Sequence, residues 1–408
     1  MGRLKKYSAV LSFIGISIAL IILMFSFYGF IKKKRGPEQR TLKVSMYPFL
    51  PDAETYYEKL EEAFETLYPD VDLVINLNRN YYNPTDGIIS EAADVYELDC
   101  IFLKDFIDRH KIQPLKSIVL GQQNLLPIAN IVYQNNLLYA QPQYIIGNFL
   151  FYSKRDTALL KIIKLRDLES KFGNKPNAKK GLLIDLADPV KVSKLYVDAL
   201  LDEYEKTFIA RKYCTVENLD KITIENIRRL LPLINKSLVL SNINFEQGFY
   251  EKQFAKQNGR AFVGSSESLY EIINEINALP GKHLNLDDIA VNDWNSSDSV
   301  PHSSGSVIAL SMSSRLKMGQ EIKDANHFMW FCNSIETFKL LMKSGRGKVP
   351  RYLLPPYKTY YQDTSITNYA PLYKRFYPLV LKMTAFTDAG MAEQLKFIGE
   401  KIKKELAQ

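Results

Sequence analysis

Hydrophobic positions recur in two rhythms along most of this chain. Leu42, Val44 and Met46 alternate with Lys43 and Ser45, the two-residue period of a strand with one buried face. Tyr56, Leu60, Phe64 and Leu67 then recur at helical spacing behind the capping residue Asp52, with Glu54 in the first turn and Pro69 as the stop. Val71–Leu77 reads as the next strand. The strand-then-helix order returns at Asp94–Leu103 and at Leu182–Leu186, the latter followed by a helix near Val190–Tyr204. Strands alternating with amphipathic helices predict parallel sheets covered by helices, an α/β fold. No repeat of fixed period is visible.

The N-terminus follows neither rhythm. Between Lys6 and Lys32 no residue is charged, and Ser8–Ile31 is continuously apolar or small. A bilayer-crossing helix needs roughly 20 such residues. Tyr28 and Phe30 sit near one edge, where aromatic side chains meet head groups. A cleaved signal peptide would want a shorter apolar core and a small-residue cleavage site, which Phe25–Lys34 does not supply. The pattern therefore predicts a basic flank over 1–6, a transmembrane anchor over 7–31, a basic linker over 32–40 and a folded domain over 41–408. Basic residues flank both ends of the anchor, so charge does not fix its orientation. The expectation is a single-pass membrane protein with its main domain on the extracytoplasmic side.

Charge removes a function class. The chain carries 53 basic and 45 acidic residues, a net charge of +8. Residues 1–40 hold eight of the bases and one acid, which leaves 45 against 44 in the remainder. The excess thus flanks the apolar segment, where it suits anionic lipid, and nucleic-acid binding is not expected. Three cysteines (Cys100, Cys214, Cys332) and four histidines at wide spacings form no disulfide framework or metal-ligand pattern, so no metal or cofactor is predicted. Glycine-rich nucleotide motifs are absent; Gly345-Arg346-Gly347-Lys348 reads as a loop between helices rather than an anion cradle.

Several longer segments carry more information. MYPFLPD (Met46–Asp52), LDCIFLKDFID (Leu98–Asp108), PQYIIGNFLFYSKRD (Pro142–Asp156), KGLLIDLA (Lys180–Ala187), NGRAFVGSSES (Asn258–Ser268) and VPRYLLPP (Val349–Pro356) occur in an order and spacing that resembles the thiaminase I family. The resemblance implies a two-lobed α/β fold of the type II periplasmic-binding-protein kind, with lobe 1 over about 41–148 and 304–408, lobe 2 over about 149–303, and a small-molecule ligand in the cleft. Thiaminase I enzymes exchange the thiazolium of thiamin for another base through a cysteine thiolate, which is both a good nucleophile and a good leaving group. A glutamate serves as general base.

Carried over by position, the resemblance implies Glu267 as the general base, Asp99 as a carboxylate that would hydrogen-bond the pyrimidine amino group, and Tyr47 as a pocket tyrosine. The nucleophile position is Ile146, which has no lone pair to attack a ring. Ser265 stands two residues before the general base where the family has tyrosine. Ser304 and Ser306 stand where a tyrosine and a second aspartate are expected, and Phe49 replaces the second aromatic of a YPY-like motif. No acid lies between Asp298 and Glu321. A protein binding thiamin or a related ring compound, impaired in catalysis, is the resulting expectation. The alternatives are an exchange enzyme working through Cys100 or a water activated by Glu267, and a scaffold that no longer uses its pocket. Free cysteines are usually packing residues, and His302, beside the altered segment, reads as a loop histidine.

Overall fold

The computed structural model describes residues 39–407 except 84, 163, 174–180, 205–211, 235–247, 280–283, 300–303, 318, 346–348, 386 and 388–389. The predicted anchor, His302 and residues 346–348 lie outside the described residues. Among the described residues no helix is long and apolar enough to cross a membrane, and no group of three or more His, Cys, Asp and Glu could hold a metal ion.

The opening reads as the periodicity predicts. Strand β1 (Arg40–Met46) leads into helix α1 (Ala53–Leu67), then β2 (Val71–Leu77), β3 (Val95–Asp99) and the short α2 (Leu103–Asp108). β1 pairs in parallel with both β2 and β3. Two positions depart from expectation. Leu67, the last residue of α1, is 60% exposed. Asp52 takes a left-handed backbone conformation at φ 53° and makes no side-chain cap. Its carboxylate instead accepts 2.9 Å from Arg351, a wholly buried guanidinium that also donates to the carbonyls of Pro51, Leu341 and Lys343. An unpaired cation there would carry a large desolvation cost, so Asp52 serves Arg351 before it serves the helix.

After a small hairpin of β4 (Tyr133–Gln134) and β5 (Leu137–Leu138), β6 (Gln141–Gly147) joins the first sheet and β7 (Phe149–Ser153) begins a second one. Only Asn148 separates them. The second sheet adds, in chain order, α3 (Leu165–Phe172), β8 (Leu182–Leu183), α4 (Pro189–Glu203), α5 (Lys221–Leu230), α6 (Phe249–Ala255), β9 (Ala261–Gly264), α7 (Ser268–Ala278) and β10 (Ile289–Asp293), with strand order β10-β7-β9-β8. Strand β11 (Ser304–Met312) then returns to the first sheet and lies antiparallel between β3 and β6. Both sheets are therefore mixed rather than parallel: β11 runs opposite to β3 in the first, and β7 runs opposite to β9 and β10 in the second.

The C-terminal helices serve both sheets. α8 (Gln320–Cys332) and α9 (Ile335–Leu341) pack near α1, with Phe328 and Phe331 edge-on to Phe64. After α10 (Lys358–Gln362) and α11 (Thr364–Tyr369), α12 (Tyr373–Val380) sets Phe376 against Phe149 of the second sheet, at 4.9 Å between ring centres. β12 (Thr384–Ala385) pairs with β11, and α13 (Met391–Leu406) packs along α4. The chain thus forms two α/β lobes, one built on each sheet, as the resemblance implies.

Candidate functional site

Open α/β sheets gather their ligands beyond the carboxyl ends of the strands. Tyr47 and Phe49 follow β1, Asp99 ends β3, and Ser265 and Glu267 link β9 to α7. From β6 and β11 come Ile146, Ser304 and Ser306. Residues directly opposite in an antiparallel pair share a face, and the register sets Ile146 against Ser306 and Asp99 against Ile308. The expected site residues thus converge, but they form two surroundings of different character.

The first is a closed polar cluster under an aromatic cover. Alternation along β3 puts Glu97 and Asp99 on one side of the strand, and neither is exposed to solvent. Glu97 accepts 2.8 Å from the Tyr47 amide and 2.9 Å from the Tyr57 hydroxyl. The Tyr81 hydroxyl donates 2.9 Å to the Glu97 carbonyl and accepts 2.6 Å from the Asp99 amide. Asp99 Oδ2 accepts 2.7 Å from the Tyr82 hydroxyl and 3.4 Å from Lys194 Nζ, while its Oδ1 accepts 3.2 Å from the Ile101 amide. The Tyr82 ring stacks between Phe49 and Phe102, at 5.9 and 5.6 Å. Tyr47 packs edge-on to Phe49 and Tyr81. Burial, with Asp99 beside it, holds the Tyr47 phenol well above its usual range, so it stays a neutral donor. Burial also raises the Glu97 carboxyl to about 7 against the hydrogen bonds from Tyr47 and Tyr57.

The second is an open pocket between β6, β11, α4 and α13, about 550 Å³ with the solvent at its mouth included. Ile146, Ser304 and Ser306 line it, together with Asn148, Lys194 and Asp198. Asp198 is the carboxylate that sequence reasoning missed: it reaches this wall from α4 and accepts hydrogen bonds from Asn148 and Ser304. Burial raises its carboxyl well above the ordinary range, opposed by Asn148 and Lys194. A smaller cavity lined by Tyr56, Tyr144, Cys332 and Leu353 lies elsewhere, in the packing between the first sheet and the C-terminal helices.

Glu267 faces this assembly from the second sheet. It is 9% exposed, and one of its oxygens has no hydrogen-bond partner. Burial raises its carboxyl to about 7, opposed by the Ser265 hydroxyl and the Lys194 ammonium. Such a group exchanges protons near neutrality, as a general base does. The flanking serines are structural: Ser266 donates 2.7 Å to the Tyr352 carbonyl and Ser268 donates 2.9 Å to Glu251. Cys100 offers no substitute nucleophile here, being 1% exposed with its thiol pushed up by burial and by Asp99. Lys194, one turn before Asp198 on α4, links the two surroundings. Both are polar positions of a helix whose sequence pattern reads them as solvent-facing, so the pattern hides them.

Comparisons with known proteins find similarity to thiaminase I and, more widely, to solute-binding proteins of the same fold. Residues 147–286 match the Thiaminase-1 domain. The chain is 26% identical over 355 residues to Thiaminase-1 of Paenibacillus thiaminolyticus, covering 84% of this chain and 81% of that protein. Its fold superimposes on Clostridium botulinum thiaminase I in complex with thiamin with a TM-score of 0.76 at 23% identity, covering 90% of this chain and 100% of that one. An ABC transporter solute-binding protein from Agrobacterium vitis with bound D-mannitol shares the fold with a TM-score of 0.65 at 12% identity, covering 90% and 93%. The resemblance to the thiaminase I family drawn from the sequence motifs is therefore shown.

Proposed function

We propose that this thiaminase I-like chain is a membrane-anchored binding protein that holds thiamin or a related ring compound in its interlobe cleft without covalent catalysis. The observation that carries the reading is Ile146: a hydrocarbon side chain at the position of the family's nucleophile, opposite Ser306 and on the wall of the open cavity. No bond to a ring carbon can form there. Phe49, 39% exposed and stacked on Tyr82, offers an aromatic surface that supports recognition of a flat ring. Glu267 supplies an acceptor. The uncharged run over residues 7–31 supports the anchor, and the main domain is placed outside the cytoplasm on the precedent of binding proteins.

An exchange enzyme using another nucleophile gains little from the site. Cys100 is buried, and water activated by Glu267 would have to work without the thiolate that makes the family's two-step displacement feasible. Two measurements on the full chain test the proposal. Thermal-shift titration with thiamin and 5-hydroxymethylpyrimidines should raise the melting temperature, and its constancy across these rings would remove the binding reading. Incubation with thiamin and pyridine, followed by mass spectrometry, should show no base exchange above a heat-killed control. Exchange that survives Cys100→Ala would instead establish a catalyst.

A further inference from the structure

Lys194 occupies the ground on which an amino-bearing ligand would have to settle. The resemblance assigns Asp99 to the amino group of a pyrimidine, yet Asp99 is wholly buried and both its oxygens are engaged. The Ile101 amide holds one; the Tyr82 hydroxyl and the Lys194 ammonium share the other. The ammonium also lies 3.1 Å from the Tyr82 hydroxyl oxygen and 4.8 Å from the centre of the Tyr82 ring. The cavity is lined by Lys194 and not by Asp99. A ligand entering the cavity therefore meets a hydrogen-bond donor where the family's chemistry calls for an acceptor. An ammonium carries three donors, and its hydrogen bonds with Asp99 and Tyr82 leave capacity for a ligand on the cavity side. One turn further along the same helix face, Asp198 also lines the cavity, with its two oxygens accepting from Asn148 and Ser304.

We infer that Lys194 sets the ligand class of the cleft: a ring compound with a carbonyl or other acceptor at the edge where thiamin carries its amino group. The ammonium donates to that acceptor, while Asp198 beside it stays held by Asn148 and Ser304. An amino group at the same edge meets the ammonium donor to donor, and reaching Asp99 would require breaking the Lys194–Asp99 pair. Hydrogen bonds to charged groups contribute about 1.5–3 kcal/mol, which corresponds to roughly tenfold or more in affinity. The inference rests on the ring-binding reading above and narrows it.

The test compares 4-amino-5-hydroxymethyl-2-methylpyrimidine with its 4-oxo lactam, which bears a carbonyl and a ring N–H instead, by calorimetric titration of the full chain at a pH where both are neutral. The oxo compound should bind at least about tenfold more tightly, and Lys194→Met should abolish or reverse the preference. A wild-type preference for the amino compound overturns the inference while leaving ring binding intact. An oxo preference that persists in Lys194→Met also overturns it, by removing Lys194 as the cause. If neither probe binds, ring binding itself fails and the inference falls with it. The wild-type ranking decides the matter even if the variant does not fold.

Discussion

The two walls of the cleft differ in how much of their chemistry the fold itself consumes. On the β3 side, Glu97, Asp99, Tyr47, Tyr57, Tyr81 and Tyr82 hold one another, and the carboxylates of β3 have no exposed surface. On the β6–β11 side, Ile146, Ser304 and Ser306 border open space, and only Ser304 is tied to another side chain there, Asp198. A carboxylate that receives backbone amides and phenols is part of the packing, so removing it strands several buried donors at once. A residue whose main neighbour is the cavity can change with little effect on the fold. The positions that the resemblance assigns to the nucleophile and second aspartate, Ile146 and Ser306, both lie on the second wall. Ligand chemistry can diverge there while the lobes stay intact.

Replacement of Glu97 is the strongest way to break this contrast. Glu97→Ala leaves the Tyr47 amide and the Tyr57 hydroxyl without their acceptor in a site closed to water. A loss of about 3 kcal/mol or more is expected, read from the midpoint of urea unfolding. A loss below about 1 kcal/mol would show that the cluster is not a structural unit. The variant should also bind ring compounds poorly, because Tyr47 and Tyr57 lose their common anchor.

The pH dependence of stability of the wild-type protein tests the same wall together with Glu267 of the second sheet. Glu97 and Glu267 have folded-state values near 7, above the carboxylate range expected for the unfolded chain. The native state therefore holds more protons than the unfolded state between about pH 4.5 and 7, and stability falls as pH rises through that window. Above it, both groups are ionised in both states and their contribution levels off. Each carboxylate accounts for about 3 kcal/mol at most by this linkage. Glu267→Gln should flatten the decline in urea midpoint between pH 5 and 7. An unchanged slope would mean that Glu267 is solvated and is not poised to exchange a proton.

Much of this arrangement is legible in the sequence, and the illegible part has a physical reason. The two-residue and helical periods locate β1, α1 and β2 because each keeps a more exposed face, whereas β3 is buried throughout. Glu267 and Asp99 stand at element ends within matched segments, where side chains from different strands meet. Not every matched segment marks the cleft: Val349–Pro356 contains Arg351, whose work is to tie Pro51, Asp52, Leu341 and Lys343 together. Lys194 and Asp198 are the clearest omissions. Four residues apart on a helix, a lysine and an aspartate look like a solvated pair, and only the docking of α4 against β11 and α13 turns that face inward. The absence of an acid between Asp298 and Glu321 therefore does not mean that the cavity lacks one. Asp198 stands beside Ser304 instead.

The open wall can be sharpened by a chemical probe and by two small substitutions. All three native cysteines are buried, so folded wild-type protein should react negligibly with an aromatic disulfide reagent. Ile146→Cys should add one reactive thiol, because position 146 lines the cavity. Absence of that thiol from the reagent's reach would show the cavity to be closed in solution. Combining Ile146→Cys with Ser306→Asp should restore some thiamin–pyridine exchange if the cleft still accepts thiamin. If the ligand class has changed as the Lys194 geometry indicates, that gain should require Lys194→Met as well.

The smallest expected effects separate the two serines of β11. Ser304→Ala removes a donor to the half-buried Asp198 and should cost about 1 kcal/mol in unfolding free energy. Ser306→Ala touches only the cavity edge beside Ile146 and should stay within about 0.5 kcal/mol. Equal losses for the two would place Ser306 in a packed surrounding like that of Glu97, and the division between a wall used by the fold and a wall left to the ligand would fail at its nearest point. A difference in the expected order locates that division between two positions on the same face of one strand, with Ser304 held by α4 and Ser306 available to whatever enters the cleft.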